Sequence, residues 1–517
     1  MEKLNIKYLI RGHTIIGLFC ISLFYISAYF GSLIFFLPYI SYWELPSKHI
    51  QKSVDYGFNI DDKLDEIVSS YHLSDKNIEI VPPSFKDPRI KISTKNQSSI
   101  YLNPNNNEVL DTFYERDNVS EFFNELHFGE NIPKVGRFLM GVASIGVLFL
   151  ILSAILLFVF NKKRTKKEKK SHRRFWIKWH KNLGLLIIPF LFIFVITGAF
   201  IGVMLFTSKP YVLNATQNKE TNLRKVVAPI IFKQKELLKN SENIVEPLKL
   251  SQLYRLAKVN YENLVVKNIN IYNYKKDNSQ VLFSGYLSDN RAITGEVNRI
   301  SIVLNSYDGT VFSKTNLDDT HGIKKSLSLF YFLHFLPDET ILIRIIFFVF
   351  GIALCVSLAF GYLIWAQKKL NDNNSFIWSN FLNRVVLTII IGSITCSSIL
   401  FFTHYLIPNE FIHKDLFMKG IFYIMFFSLL MYSFYENMIS KVIKINLYMS
   451  SLLLFTAVFL HGIKTDIFIW DSFINKMDVV FYVDLILLII SGTIFYFAKK
   501  IKPTFLYKFD YEKELKC

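Results

Sequence analysis

The sequence predicts a polytopic α-helical membrane protein with about eight transmembrane helices and an internally duplicated core. Each copy has the order helix, small outer α+β domain, helix. Three observations predict this fold class. The chain is 51% hydrophobic with a mean hydropathy of +0.29, which is too apolar for a soluble protein of 517 residues. Its apolar residues form long blocks. Short motifs that contain a histidine occur once in each copy.

Eight apolar runs are long enough to cross about 30 Å of hydrocarbon, which takes roughly 20 helical residues. The first run is longer than a signal-peptide core and lacks a small-x-small cleavage site, so we expect it to remain as a helix. Basic residues between the second and third runs predict that both termini are cytoplasmic. The predicted spans are about 13–40, 136–160, 180–206, 341–366, 383–407, 416–436, 445–463 and 479–499.

The duplication is predicted from three pairs of matching segments. They are 13–17 (HTIIG) with 180–184 (HKNLG), 126–128 (LHF) with 333–335 (LHF), and 99–103 (SIYLN) with 301–305 (SIVLN). Because each pair has the same order in both halves, the repeated unit includes a helix, an outer domain and a second helix. Strand-like alternation and turn residues in both polar segments indicate β-hairpins.

These patterns predict five parts of the chain. The last four helices follow the duplicated core, and we expect them to modulate that core and not to complete it. The parts are a first repeat at 1–160 with its outer domain at 41–126, a basic cytoplasmic loop at 161–179, a second repeat at 180–366 with its outer domain at 207–333, a four-helix membrane region at 383–499 and a cytoplasmic tail at 500–517.

Charge and cysteine usage exclude some classes of function. The formal net charge is +17, but most of the excess lies in short loops beside apolar runs, where it sets membrane orientation, so we expect no nucleic-acid partner. The basic loop at 161–179 would also suit an acidic reductase partner. The four cysteines form no disulfide or zinc pattern. The absence of a Cys-x-x-Cys-His motif excludes covalent c-type haem but leaves non-covalent haem open.

Four histidines are candidate haem ligands. His13 and His180 begin outward-going helices, whereas His127 and His334 precede inward-going helices. Equivalent residues of repeats related by an axis along the membrane normal lie at equal depth. Paired neutral imidazoles on facing helices can hold a b-type haem. We therefore predict two b haems, one on each pair, although single histidines at helix ends are often ordinary interfacial residues.

A further cluster lies in the last four helices. His404, His461 and Asp484 are predicted at similar depth near the outer ends of their helices. A carboxylate inside a membrane is a functional-site hypothesis by default. The cluster could hold a third haem or a metal, or accept protons from quinol. Alternatively, its members are interfacial residues beside polar loops. The remaining histidines are assigned to solvated loops: His49, His72, His172, His321 and His413.

Several of these motifs occur together in one known family. They are Arg11-Gly12-His13 with Gly17, Trp43-Glu44, Leu126-His127-Phe128-Gly129, Trp179-His180 with Gly184, and Leu333-His334. In this order, over about residues 1–370, the chain resembles the PepSY-associated transmembrane family of bacteria. The resemblance implies an inner-membrane di-haem protein with PepSY-type periplasmic domains that reduces ferric siderophores. It also implies that the four candidate histidines hold the haems.

Two classes of function follow. The first is a haem-dependent ferric siderophore reductase of the bacterial inner membrane, which moves electrons outward through the bilayer. The chain has no nucleotide-binding motif, so its electrons must come from quinol or a cytoplasmic flavin reductase. The second is a non-enzymatic PepSY-type sensor or assembly factor that binds a periplasmic partner.

Overall fold

The computed structural model divides the chain into two compact units. One comprises residues 1–49, 114–203 and 340–517 and is called the membrane unit; the other comprises residues 50–113 and 204–339 and is called the sheet unit. The structure describes residues 3–50, 59–73, 77–94, 97–132, 135–160, 172–220, 225, 243–318, 320–335, 340–370 and 376–502. Most of the predicted loop at 161–179 and of the tail at 500–517 therefore lies outside the described residues.

Eight of the helices in the described ranges are long and apolar enough to cross a membrane, which confirms the predicted polytopic fold class. They are α1, α5, α6, α10, α11, α12, α13 and α15 of the following set. The helices are α1 (Lys3–Ile34), α2 (Leu37–Glu44), α3 (Asp61–Ser70), α4 (Val119–Phe128), α5 (Gly136–Phe160), α6 (His172–Ala215), α7 (Leu250–Asn260), α8 (Arg291–Thr294), α9 (Gly322–Phe335), α10 (Ile341–Leu370), α11 (Phe376–Leu406), α12 (Lys414–Tyr435), α13 (Ile439–Thr465), α14 (Ile469–Ile474) and α15 (Asp478–Lys500).

The first predicted span, 13–40, differs from the helix observed. The helix α1 ends at Ile34, and the short helix α2 begins after a turn. Pro38 lies in the first turn of α2, where its missing N–H costs no hydrogen bond. The guanidinium group of the buried Arg344 donates to the carbonyl oxygen of Phe35 at 2.6 Å. This contact satisfies a carbonyl group that the turn leaves outside the helical hydrogen-bond pattern.

The membrane helix α12, one of the last four, packs against the α4 region. Lys419 of α12 forms an ion pair with Glu125 of α4 at 2.8 Å, and Tyr423 accepts a hydrogen bond from Asn131 at 2.8 Å. The Phe122 ring of α4 contacts the Phe422 ring with 5.1 Å between centroids. The carboxy-terminal helices thus support a helix of the duplicated core.

The sheet unit contains one antiparallel sheet of eight strands. Its order is β4-β3-β2-β1-β5-β6-β7-β8, so two four-stranded meanders are joined where β1 pairs with β5. Each outer segment forms hairpins as predicted, and the two segments share a single sheet. The strands are β1 (Asn77–Val81), β2 (Ile90–Thr94), β3 (Ile100–Leu102), β4 (Val109–Leu110), β5 (Leu264–Tyr272), β6 (Gln280–Leu287), β7 (Ile300–Asn305) and β8 (Val311–Lys314).

The core of the sheet unit lies between one face of the sheet and the helices α3 and α7. Ile80 and Ile269 are fully buried and stand opposite each other at the β1–β5 junction. Leu64 of α3 and Leu253 of α7 are buried in the same cluster. Alternating burial along β1 and β2 reflects the period of two expected when one face of a sheet is covered.

The matching segments 99–103 and 301–305 occupy equivalent places in the two meanders. The first contains β3 and the second covers all of β7 except Ile300, and these are the third strands of the two halves. A turn follows each strand, and Asn107 (φ 58°) and Gly309 (φ 71°) both adopt the left-handed conformation in it. Since both outer segments contribute to one sheet, they lie on the same side of the membrane.

The junction between the halves can be tested with paired cysteines. Glu79 of β1 stands opposite Asn270 of β5. We expect Glu79→Cys with Asn270→Cys to form a disulfide on oxidation, because directly opposed residues of antiparallel strands lie within bridging distance. Peptide mass mapping would detect it. The control is Glu79→Cys with Ser301→Cys, three strands away; equal cross-linking of both pairs would contradict the strand order.

Candidate functional site

The histidines His13 and His180 meet inside the membrane unit. Their ring centroids are 6.4 Å apart and their planes are inclined at 75°. His13 lies on α1 and His180 on α6, the first helix of each repeat. Both residues lie within their helices and not at the first residues as the sequence predicted, because α1 and α6 begin upstream at Lys3 and His172. The structure therefore brings together the predicted pair of His13 and His180, which is called the inner pair.

Hydrogen bonds fix which nitrogen of each ring carries the proton. The His13 Nδ1 atom lies 2.7 Å from the hydroxyl oxygen of Ser153, which itself donates to the Leu150 carbonyl group. The His180 Nδ1 atom lies 2.8 Å from the carbonyl oxygen of Ser357. Both Nδ1 atoms therefore act as donors, and the lone pair of each neutral ring lies on Nε2. Ligating histidines are usually held in this way through their second nitrogen.

His127 lies near the end of the short helix α4, which precedes the transmembrane helix α5. Its Nδ1 atom donates to the carbonyl oxygen of Ser27 at 2.8 Å, and the Ser27 hydroxyl donates to the His127 carbonyl group at 3.1 Å. Burial lowers the pKa of His127, and the bond to the Ser27 carbonyl opposes part of this effect. The neutral ring again has its lone pair on Nε2.

His127 and His180 share a local arrangement that we call the imidazole cradle. Its components are the segments 27–31 (SAYFG) and 357–361 (SLAFG), each contacting one histidine ring. In both, the serine carbonyl accepts from Nδ1, and the glycine one turn later lies against the ring. A Cβ atom added to Gly31 would lie 2.7 Å from His127 Nδ1, and one added to Gly361 would lie 2.9 Å from His180 Cε1. Only glycine leaves room for the ring.

His334 lies near the end of α9 in the sheet unit. Its ring contacts Phe335 with 5.3 Å between centroids. Because His127 belongs to the other unit, the pairing of His127 with His334 stays a prediction. Gly198 of α6 stands at the same spacing after His180 as Gly31 stands after His13. The second copy thus retains the small residue that His127 needs in the first.

The inner pair and His127 are well separated. Along α1, Ser27 lies about 20 Å from His13 at a rise of about 1.5 Å per residue. This distance is a large part of the hydrocarbon thickness of about 30 Å. The membrane unit therefore presents neutral, oriented imidazoles at two depths.

The third predicted cluster is also assembled, and α2 completes it. The Asp484 carboxylate accepts from Trp43 Nε1 at 2.7 Å and from His461 Nδ1 at 3.1 Å. Trp43, His461 and Asp484 are all 0% exposed. His461 Nε2 has no hydrogen-bond partner. Its lone pair is thus buried and unused.

The same region holds a second oriented imidazole. His404, 1% exposed, donates from Nε2 to the Glu44 carbonyl oxygen at 2.9 Å, and its Nδ1 atom has no hydrogen-bond partner. The Tyr405 hydroxyl donates to the Trp43 carbonyl group. The Tyr405 ring lies 5.2 Å from the His461 ring. The buried array of Trp43, Glu44, His404, His461 and Asp484 is called the outer polar cluster.

His49 belongs beside the outer polar cluster, so its assignment to a solvated loop was wrong. Its ring centroid lies 5.5 Å from that of His461. Burial lowers the pKa of His49 to about 3, the neighbouring His461 adds to this effect, and the Tyr42 and Trp43 carbonyl groups oppose it. Those carbonyl groups lie near the ring without a well-aligned hydrogen bond. The sequence alone contained no signal for this contact, because the short segment after α2 shows no periodicity.

Glu44 joins α2 to the start of α4. Its carboxyl group accepts from the backbone N–H groups of Val119 and Ser120, and from the Ser120 hydroxyl at 2.7 Å. It therefore satisfies donors that the first turn of a helix leaves unpaired. Burial, reinforced by Asp117, raises the pKa of Glu44 to about 8. The carboxyl group is mainly protonated at neutral pH.

The side chains of the described ranges include no group of three or more histidine, cysteine, aspartate or glutamate residues arranged to hold a bare metal ion. The outer polar cluster is thus a hydrogen-bonded array in this structure. A haem needs only two axial side chains, so this finding does not concern the histidines of the inner pair.

The fold and site define a polytopic membrane protein with oriented histidines at two depths in its membrane unit and a separate unit built on one eight-stranded sheet. The family model for the PepSY-associated TM region matches residues 10–368. The chain therefore belongs to that family, as the motifs suggested. No curated protein matches the sequence.

The raised pKa of Glu44 predicts a pH-dependent stability. A carboxyl group that binds its proton more tightly when folded stabilises the fold at low pH, and this contribution is lost as the pH rises from about 4.5 to about 8. We expect the midpoint of thermal unfolding in detergent to fall over this interval in the wild type and to fall less in Glu44→Gln. The exposed Glu410, changed to Gln, is the control. An unchanged pH profile in Glu44→Gln would contradict the assignment.

Proposed function

We propose that this protein is an inner-membrane b-haem electron-transfer protein that carries electrons across the bilayer to reduce a periplasmic ferric acceptor. The observation that carries the proposal is the approach of His13 and His180, on equivalent helices of two repeats, with both Nδ1 atoms engaged. Neutral rings held in one tautomer are what axial ligation requires.

The residues fit the group that the proposal needs. Two imidazoles on opposite sides of one iron, with metal–nitrogen bonds of about 2 Å, have ring centroids roughly 6 Å apart. The observed separation is 6.4 Å, and the inclination of 75° is allowed because each ring can turn about its own bond to the metal. His13 and His180 would therefore hold an inner b haem. His127, with His334 as its predicted partner, would hold an outer one.

The protein would position the haems, surround them with apolar side chains and fix the tautomer of their histidine ligands. A bound b haem supplies an iron that changes between two oxidation states by one electron. The buried side chains Phe24, Ile187, Leu191 and Leu354 form one apolar cluster along the helices α1, α6 and α10, and α1 and α6 carry the inner pair. Separation of the histidine sites along α1 allows two groups to bridge most of the bilayer, as one group at either depth would not.

We further propose quinol or a cytoplasmic flavin reductase as the electron donor and a ferric siderophore as the acceptor. These choices follow from the family resemblance and from the lack of a nucleotide-binding motif in the chain. The alternative is a non-enzymatic sensor or assembly factor that binds a periplasmic partner through the sheet unit. Visible spectroscopy separates these classes, because a haem-free purified protein with an intact fold would leave only the alternative.

Histidine variants test the inner pair. We expect His13→Ala and His180→Ala to deplete the same haem, so that each retains about half the wild-type Soret absorbance, because a haem that loses one axial ligand is held by a single protein bond. His127→Ala should deplete the other haem. The control is His413→Ala, an exposed loop histidine. Depletion of different haems by the two inner variants, resolved by redox titration, would disprove the pairing.

The imidazole cradle gives an independent prediction. We expect Gly31→Val to reduce occupancy of the outer haem and Gly361→Val that of the inner haem, since an added side chain would displace the His127 or His180 ring. Haem content and membrane abundance would be measured together. Gly420→Val is the matched control, because a Cβ atom there meets open space. Full retention of both haems in Gly31→Val and Gly361→Val would contradict the proposed ligands.

A further inference from the structure

Two buried imidazole nitrogens of the outer polar cluster have no hydrogen-bond partner. They are His461 Nε2 and His404 Nδ1, and the second lies 3.9 Å from Glu44 Oε1. Buried polar atoms are nearly always paired, and those that are not require an explanation such as a water, an ion or a functional role. The lone pair of a neutral imidazole can bind a hydrogen-bond donor, a metal or a proton. The surroundings of the two nitrogens favour one of these three ligands.

Two of these ligands fit the outer polar cluster poorly: a metal ion, and a quinol as the hydrogen-bond donor. A metal would need a convergent set of side chains, and the described residues provide none. A quinol would need space for a ring, but Trp43, His404, Tyr405 and His461 are buried and their rings contact one another directly. A proton needs neither a convergent ligand set nor free volume.

Asp484 is placed to stabilise a proton on His461. Its carboxylate holds Nδ1–H of His461 at 3.1 Å, so a proton arriving at Nε2 would produce an imidazolium directly paired with a carboxylate. Trp43 donates to the second carboxylate oxygen at 2.7 Å and keeps the group oriented. Both carboxylate oxygens are thus engaged before any proton arrives.

The cluster is joined to the helix that carries His127. Glu44 accepts hydrogen bonds from the first residues of α4, and His127 lies near the last. At about 1.5 Å per residue, some 12 Å of α4 separates these two points. In a buried region of low effective dielectric, a charge added near His127 changes the electrostatic potential over that distance. A negative charge there would therefore favour the binding of a proton in the outer polar cluster.

We propose that the outer polar cluster is a proton-binding site, with His461 as the acceptor and Asp484 as its counter-ion, and that it takes up one proton when the His127 end of the electron path gains an electron. The proposal rests on the proposed function for its electron. In this step, a proton from bulk solvent would bind to His461 Nε2, forming an N–H bond with no leaving group, and its charge would balance the one electron that the proposed donor delivers to the group held by His127. The His49 ring lies 5.5 Å from the His461 ring, so it is a direct neighbour of the proposed acceptor.

Several charged or titratable groups surround this site, and any of them can modulate its proton affinity. Lys414 is buried and donates to Asn409 Oδ1 at 2.7 Å, and Lys48 donates to the Ser41 hydroxyl at 2.5 Å. The groups on the packed elements are Glu44, Lys48, His49, Glu115, Asp117, His404, Tyr405 and Lys414.

Redox titration of the full-length, haem-loaded protein in nanodiscs tests the proposal. We expect the midpoint potential of the outer haem to fall as the pH rises, by up to 59 mV for each tenfold decrease in proton concentration, the limit for one proton per electron. Asp484→Asn and His461→Gln should flatten this dependence while haem content is kept. Asp478→Asn, an exposed change on the same helix, is the control and should behave as the wild type. A pH-independent wild-type potential, or an unchanged slope in both cluster variants, would overturn the proposal.

A second measurement does not depend on haem. In protein labelled with ¹⁵N-histidine in bilayers, the difference between wild type and His461→Gln isolates the His461 signals. We expect a neutral Nδ1–H tautomer at high pH that converts to imidazolium as the pH is lowered. Persistence of the neutral signal throughout would overturn the proton site. A protein that shows this titration but no Soret band would instead overturn the proposed function and leave the proton site standing without a redox role.

Discussion

The need to satisfy every imidazole N–H inside an apolar bundle determines much of this structure. A carbonyl or hydroxyl oxygen accepts a hydrogen bond from Nδ1–H of His13, His127 and His180, because an unpaired polar group in hydrocarbon costs about 2–7 kcal/mol. Once that bond is made, the ring cannot turn and its other nitrogen has a fixed direction. Helix contacts that stabilise the bundle therefore also determine in which direction the free nitrogen of each imidazole can bind a ligand.

The carboxy-terminal helices are part of the same arrangement. The sequence presented them as a separate four-helix region, since the duplicated motifs end before them. In the structure, α12 packs against α4, which carries His127, and Asp484 of α15 binds Trp43 of α2. Removing these helices would expose α4 and leave Trp43 without its acceptor. Their expected role changes from modulation of the core to support of its outer end.

Sequence patterns predicted the features that depend on local composition. The spans follow from hydropathy, and the meeting of His13 and His180 follows from their equivalent positions in two repeats. Contacts between distant segments could not be predicted, because no local pattern links residues such as Trp43 and Asp484, which are 441 positions apart. The role of His49 was missed for the same reason. One signal was available, the recurrence of Ser-x-x-Phe-Gly at 27–31 and 357–361, but its meaning depends on which ring lies against the glycine.

The shared sheet has a consequence for biosynthesis. Strand β1 emerges early, yet one of its edges is covered only when β5 pairs with it. Between the two strands the chain must insert α5 and α6 into the membrane. Until then, β1 presents unpaired backbone groups, the kind of edge that recruits foreign strands. A chaperone that shields such edges would therefore be needed most during this interval, and mutations that slow insertion of α6 should cause aggregation even where the finished fold is stable.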